Sequence, residues 1–239
     1  MDSESRNREL PIVMPFVSGH PRARRVKIFL IVVIVVTFVT LVPLAIPAAA
    51  GIVRDEYGFY GAFLGLASVI CLLFSIIAAA FFFIWIHRVH HNLPSLGASG
   101  LKYSPAWAVG GFLIPFVNLF LPSRVVTEIW KASDPTVDIS DGLAWKSAPT
   151  SPLITYWWIL LLILFPVSLI VAWIIEPRVQ FYHPPPMLGA LVLIWSLLYI
   201  LATILVKRLV KNIDTRQEEK HRRTSTAGKT SVTGFQETS

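Results

Sequence analysis

Three histidines, His87, His90 and His91, are spaced so that two imidazoles share one face of a helix. Paired imidazoles are ligands for zinc or copper. A closed site needs further donors, yet no cysteine or carboxylate lies close by in sequence, and Arg88 sits among them. The expectation is a solvated basic cluster, with no metal or cofactor. Asp134, Asp138 and Asp141 suggest a calcium loop, but their spacing is not that of an EF-hand. With Pro135, Ser140 and Gly142 between them, they read as a solvated linker. The single cysteine, Cys71, lies inside an apolar run, which rules out an intramolecular disulfide and thiolate clusters. No P-loop, GxSxG, HExxH or GxGxxG occurs, and no nucleophile and base are recognisable together. No catalytic residue is assigned, and the chain is expected not to be an enzyme.

A second set of residues lies between two long apolar stretches: Arg88, Asn92, Lys102, Tyr103, Trp107, Asn118, Arg124, Glu128 and Trp130. Cations interleaved with aromatic rings suit the anionic headgroups of a bilayer, or a membrane protein partner. The same residues have a structural reading. Asn118 can satisfy backbone groups freed by nearby prolines, and Arg124 can pair with Glu128 one turn on. Gly61 and Gly65 add a GxxxG step, a close-packing face within the bundle or between copies of the chain, with packing within the bundle favoured.

These residues need elements to hold them, and composition says which. Only 15% of the 239 residues are charged, against about 25% in soluble domains. The apolar residues gather into four runs free of Asp, Glu, Lys, Arg and His: 28–47, 59–86, 154–175 and 187–206. About 20 apolar residues cross a hydrocarbon core, and in lipid each run must be a helix to pair its own backbone groups. Pro43 and Pro47 are expected to kink or end the first helix. A fifth run, Ala106 to Leu121, is shorter and carries Gly110, Gly111, Pro115 and Asn118. It reads as a re-entrant or interfacial segment. The fold class is therefore an all-α membrane protein with four transmembrane helices and a central re-entrant or interfacial helical segment.

Charge placement orients this map. If only the four long runs cross, nineteen Lys and Arg fall on the side of the termini and two on the other. If the fifth run also crosses, the division becomes nine against twelve, and the bias that marks cytoplasmic segments is lost. Both termini are thus expected in the cytoplasm. The formal charge of +7 fits this placement beside apolar runs, so no nucleic-acid partner is expected. Residues 1–27 read as a flexible cytoplasmic arm, 28–206 as the membrane domain with a central segment at 87–153, and 207–239 as a basic helix extension and disordered tail. The disorder is expected after about Glu219, from its Thr, Ser, Gly and Lys content. Basic residues before the first run and Ala48-Ala49-Ala50 after it resemble a signal peptide, but the run is too long, so an uncleaved anchor is expected. Trp85, Trp107, Trp130, Trp145, Trp157 and Trp158 would form an aromatic belt at the inner interface.

The central stretch carries dense motifs: Arg88-x-x-x-Asn92, then Tyr103-Ser104-Pro105-Ala106-Trp107-Ala108-Val109-Gly110. Ile114-Pro115-x-x-Asn118-Leu119-x-x-Pro122 and Glu128-Ile129-Trp130-Lys131-Ala132-Ser133-Asp134-Pro135 follow, and Trp157-Trp158 opens the next span. Over about residues 81–160 this resembles the bacterial membrane-protein family defined by domain of unknown function 4328. The resemblance implies a bacterial cell-membrane location and points to the central segment, but implies no activity. His87, His90 and His91 are not part of the family pattern. The leading functional expectation is a non-enzymatic envelope protein that binds lipid or a membrane partner through the central motif; the expected partners are the lipid bilayer and a membrane protein or a second copy of the chain. The alternative is a small channel or transporter, against which stands the absence of ionisable residues from the four runs.

Overall fold

The structure is a computed structural model, and it describes residues 15–53, 59–175 and 186–236. Six α-helices are present among these residues, and no strand: α1 His20–Ala49, α2 Phe59–His91, α3 Pro105–Leu113, α4 Leu121–Ala132, α5 Pro152–Ile175 and α6 Pro186–Gln236. Four of them, α1, α2, α5 and α6, are long and apolar enough to cross a membrane. Short 3-10 turns at Pro94–Leu96, Val117–Leu119 and Ala144–Ser147 shape the central segment.

The surface of α1 shows why this is a membrane fold. Its buried positions, including Ala23, Val26, Leu30, Val33, Thr37 and Leu41, recur every three or four residues and make one stripe. The opposite face carries Ile28, Ile31, Val35, Phe38 and Val39, all exposed. A helix apolar on both faces buries one against protein and gives the other to lipid. α1 packs chiefly on α6 and α2, and α5 packs on α6. Pro43 and Pro47 are held inside α1, which runs on to Ala49.

The helices overrun the apolar runs at one end of the bundle, called here the loop-bearing end. α1 begins at His20, eight residues before its apolar run, with Pro21 in its first turn. The flexible arm expected over 1–27 is therefore corrected for its described part. Residues 15–19 are tied down: Phe16 stacks on His221 at 4.1 Å and Ser18 bonds Glu218. Residues 1–14 lie outside the described residues. Where a disordered tail is expected after about Glu219, α6 continues as a helix to Gln236. Glu219 supports it by pairing with Arg222 and Arg223, three and four residues on.

The fifth run does not form a span. α3 has nine residues, about 14 Å of helix against a core of about 30 Å. The chain then reverses at Phe116, which takes φ of 64°, a left-handed conformation unusual for a bulky residue. α4 returns against α3, so closely that a Cβ on Gly111 would meet Leu121 Cδ2 at 2.7 Å. The result is a helical hairpin whose tip exposes Leu113, Ile114, Phe116, Leu119 and Phe120. Trp158 of α5 ties the tip down by donating to the Leu119 carbonyl.

Candidate functional site

α4 places four residues on one face: Arg124, Thr127, Glu128 and Lys131, at the i, i+3, i+4, i+7 spacing of a helix. They form one wall of a cavity of about 610 Å³. The turn before α3 contributes Gly100, Lys102 and Tyr103, and the loop after α4 contributes Trp145 and Lys146. The floor is the first turns of α5, with Ile154, Trp158 and Ile159. Gly100 sits at φ +61, and a Cβ there would meet Leu143 at 2.7 Å and Lys146 Nζ at 3.2 Å. Glycine is what lets the turn approach the loop.

Four cations surround this space: Lys102, Arg124, Lys131 and Lys146. None forms an ion pair with a carboxylate among the described residues. The ammonium groups of Lys102 and Lys146 lie 5.8 Å from the ring centres of Tyr103 and Trp145. Lys131 Nζ donates to the Lys146 carbonyl at 3.0 Å, which fixes the loop to α4. The one carboxylate on the wall, Glu128, is otherwise engaged. Its Oε2 accepts from Lys102 N at 2.7 Å, and its Oε1 accepts from Tyr103 N at 3.3 Å and faces His90 Nε2 at 3.1 Å. Glu128 thus shapes the turn that bears Lys102, and the expected Arg124–Glu128 pair does not form. The two backbone N–H groups and the buried imidazole of His90 engage the carboxylate instead.

The other sequence-derived residues fall elsewhere. Asn92 is buried beneath the start of the chain, and its Nδ2 donates to Val17 O at 2.9 Å and to Gln217 Oε1 at 3.4 Å. Arg88 is half-buried on the same helix end, with its Nε buried and unpartnered among the described residues. Trp107 lies exposed in the first turn of α3, and Asn118 sits half-exposed in the hairpin tip. Trp130 is buried under the Arg216 guanidinium, 4.3 Å away. So Lys102, Tyr103, Arg124 and Glu128 come together, and Arg88, Asn92, Trp107, Asn118 and Trp130 do not join them. Gly65 faces outward, with nothing within 4 Å of a Cβ placed there. The close packing expected within the bundle is therefore absent at Gly65, and the side-chain environment of Gly61 lies outside the described residues. Close approach occurs instead at Gly189 of α6, whose Cβ would stand 2.2 Å from Ala49 N.

Two further expectations are corrected by burial. Of the histidines, His90 is 1% exposed and faces Glu128, so it belongs to the core and not to a solvated cluster. Among the described residues no group of His, Cys, Asp and Glu is arranged to hold a metal. The aromatic belt is not a belt: Trp85, Trp130, Trp145, Trp157 and Trp158 are buried, and only Trp107 of the six is exposed. These indoles fill the core beneath the loops, and Trp145 Nε1 donates to Ser99 O at 2.8 Å.

Sequence reasoning missed a polar knot beside the cavity. Arg216 of α6 bonds Asp134 Oδ2 at 2.6 Å, Gln217 donates to Val89 O and Ser133, and Lys220 Nζ donates to Ala132 O at 2.9 Å. Burial raises the Asp134 pKa, but hydrogen bonds from Thr136 and the Arg216 charge outweigh it and hold the carboxyl below its ordinary value. Asp138 and Asp141 accept from Ser140 and Leu143 in local turns. Lys131 had a legible signal, since it lies seven residues after Arg124 on one helix face. Lys146 had none, because a loop carries it back to α4.

Together these features define a class: an all-helical protein with four membrane-capable helices, a central helical hairpin, and a basic cavity where the hairpin meets α5. The chain belongs to the family described as Domain of unknown function (DUF4328), whose model matches residues 50–215. That range includes the hairpin and the whole cavity wall. No curated protein matches the chain, and no solved structure does.

Proposed function

We propose that this is a non-enzymatic membrane protein that binds anionic lipid headgroups in the cavity between α4, the Lys102 turn and the Lys146 loop. The observation that carries the reading is the charge balance there. Lys102, Arg124, Lys131 and Lys146 line the space, and its only carboxylate is turned to backbone N–H groups and His90. The floor supports it too, because Ile154 and Ile159 lie in the first turns of a membrane-capable helix, where cations would stand beside lipid headgroups. The cytoplasmic leaflet, rich in anionic lipid, is the fitting side if the Lys and Arg excess faces the cytoplasm of a bacterial cell membrane.

The test uses the full chain in nanodiscs of phosphatidylcholine with a minority of phosphatidylglycerol, read by native mass spectrometry. The native protein should retain phosphatidylglycerol in preference. Replacing Lys102, Arg124 and Lys146 together by Ala should weaken retention about a hundredfold, at about 1 kcal/mol per cation. Unchanged selectivity in the folded triple variant would refute the reading.

A further inference from the structure

The cations of the basic cavity are not evenly placed. Arg124 is the fourth residue of α4 and Lys131 the eleventh, seven residues apart on one face and about 10.5 Å along the axis. Side chains on a helix lean toward its N-terminus, so both lean the same way and the axial spacing carries outward. Lys131 is pinned besides, its Nζ donating to the Lys146 carbonyl at 3.0 Å. Lys146 turns its own ammonium to the opposite wall, where it would stand 3.2 Å from a Cβ on Gly100. Lys102 follows two residues after that glycine, with its backbone N–H held by Glu128 in the second half of α4. The lysines thus gather toward one end of the cavity, and Arg124 faces it alone from the other.

One phosphate group spans its own width and two hydrogen bonds of about 2.9 Å each, which falls short of the Arg124–Lys131 spacing. A ligand with a single phosphate can serve one end and leaves the other charge unmet. The neutral groups between the ends add little, since Ser123 Oγ already donates to Phe120 O at 3.0 Å and Thr127 Oγ1 to Ser123 O at 2.7 Å. The one carboxylate lining the cavity, Glu128, is buried and turned to backbone N–H groups, so no free negative charge divides the ends. A volume of about 610 Å³ has room for two phosphates with a short bridge. Ile154, Trp158 and Ile159 give the floor an apolar surface, which suits a ligand with acyl chains over a soluble diphosphate.

We propose that the cavity selects a lipid with two phosphate groups: one phosphate pairs with Arg124, and the other with Lys131 and Lys146, beside Lys102. The inference rests on the reading of this cavity as a headgroup site and narrows it to a headgroup with two anionic centres. Once one phosphate is held, the second binds within the same complex, so such a lipid is retained more strongly than two separate phosphates.

The test uses the full chain in phosphatidylcholine nanodiscs that hold phosphatidylglycerol, with one phosphate, and diphosphatidylglycerol, whose two phosphates share a glycerol. The two are matched in total phosphate. Retained lipid is read by native mass spectrometry, with circular dichroism to confirm folding. The native protein should retain diphosphatidylglycerol at least about tenfold over phosphatidylglycerol. Arg124→Ala should bring that ratio to within about twofold of parity, and Lys131→Met should do the same from the opposite end. If the Lys131 variant does not fold, Lys146→Ala removes a charge at that end from an exposed side chain. Soluble pyrophosphate at millimolar concentration should displace neither lipid. Equal retention of the two lipids by the native protein would overturn the two-phosphate inference and leave the headgroup reading standing. So would a native ratio that survives the loss of Arg124, because one end would then hold both phosphates. Displacement by pyrophosphate would overturn the choice of a lipid. Retention of neither lipid would remove the headgroup reading itself, and this inference with it.

Discussion

At the end of the bundle away from the loops, helices meet through small residues and an apolar cluster. Leu41, Ala45, Leu64, Ala67, Cys71, Leu188 and Val192 are buried together, and Gly189 brings α6 against the backbone of Ala48 and Ala49. At the loop-bearing end the same helices are joined by long polar side chains. Asn92, Glu128, Asp134, Gln217 and Lys220 are all buried, and each bonds to a different element. The difference reflects what must be fixed. Two helices in lipid gain most from close contact, and backbone groups inside them need no help. Irregular loops leave backbone groups unpaired, so side chains must reach them. The loop-bearing end thus spends its buried polar residues on shape, and leaves its exposed cations free to act.

The largest expected effect tests the far end. Gly189→Leu would drive a side chain into the Ala49 backbone, with no flexible atom to move aside. It should destabilise the protein by at least about 3 kcal/mol, seen in thermal unfolding of the purified protein. Gly65→Leu should be neutral within about 0.5 kcal/mol, since open space surrounds that position. Equal losses at both glycines would break the distinction between them.

Next come the polar supports. Glu128→Leu would leave Lys102 N and Tyr103 N without their acceptor and strip His90 of its partner. A loss of about 3 kcal/mol is expected in the same assay. Asn92→Ala should cost about 1–2 kcal/mol, because Val17 O and Gln217 lose one shared donor. Hydrogen exchange should then rise over residues 15–19 before it rises elsewhere.

A pH titration sharpens the contrast further. The Asp134 carboxyl is held below its ordinary value, so its contribution is fully present above about pH 4 and is lost as pH falls through the lower, folded value. The melting temperature should show an acid limb below about pH 4 that is reduced in Asp134→Asn. An identical acid limb in that variant would remove the Asp134–Arg216 pair from the account.

How far the sequence disclosed this arrangement follows from the range of each interaction. The four spans were legible because lipid demands apolar residues on every face over some twenty positions. The broken hairpin was legible from Gly110, Gly111, Pro115 and Asn118 within one short run. Half of the cavity followed from helical spacing in α4. Lys146 could not be placed, because the fold of the loop from Ser133 to Ser151 decides where it sits. Asn92 and Gln217 lie 125 residues apart, and no local pattern announces such a bond. The role of Gly189 was hidden behind the more regular Gly61 and Gly65 pair, which lies on another helix.

The smallest stability effect is expected where the functional effect is greatest. Arg124 is exposed and pairs with no described carboxylate, so Arg124→Ala removes no folding contact beyond its own stem. Its melting temperature should match that of the native protein, a change under about 0.5 kcal/mol. Retention of phosphatidylglycerol should nevertheless fall about fivefold, and the fall should shrink as salt rises from 50 mM to 500 mM. Glu128→Leu should show the converse order, with stability lost first and retention lost only because the Lys102 turn has moved. A residue that holds the turn and a residue that faces the lipid would then be separated by two measurements on one helix face. If Arg124→Ala instead lowered the melting temperature as much as Glu128→Leu, its guanidinium would be part of the scaffold, and the division between fixed and free charges would not hold.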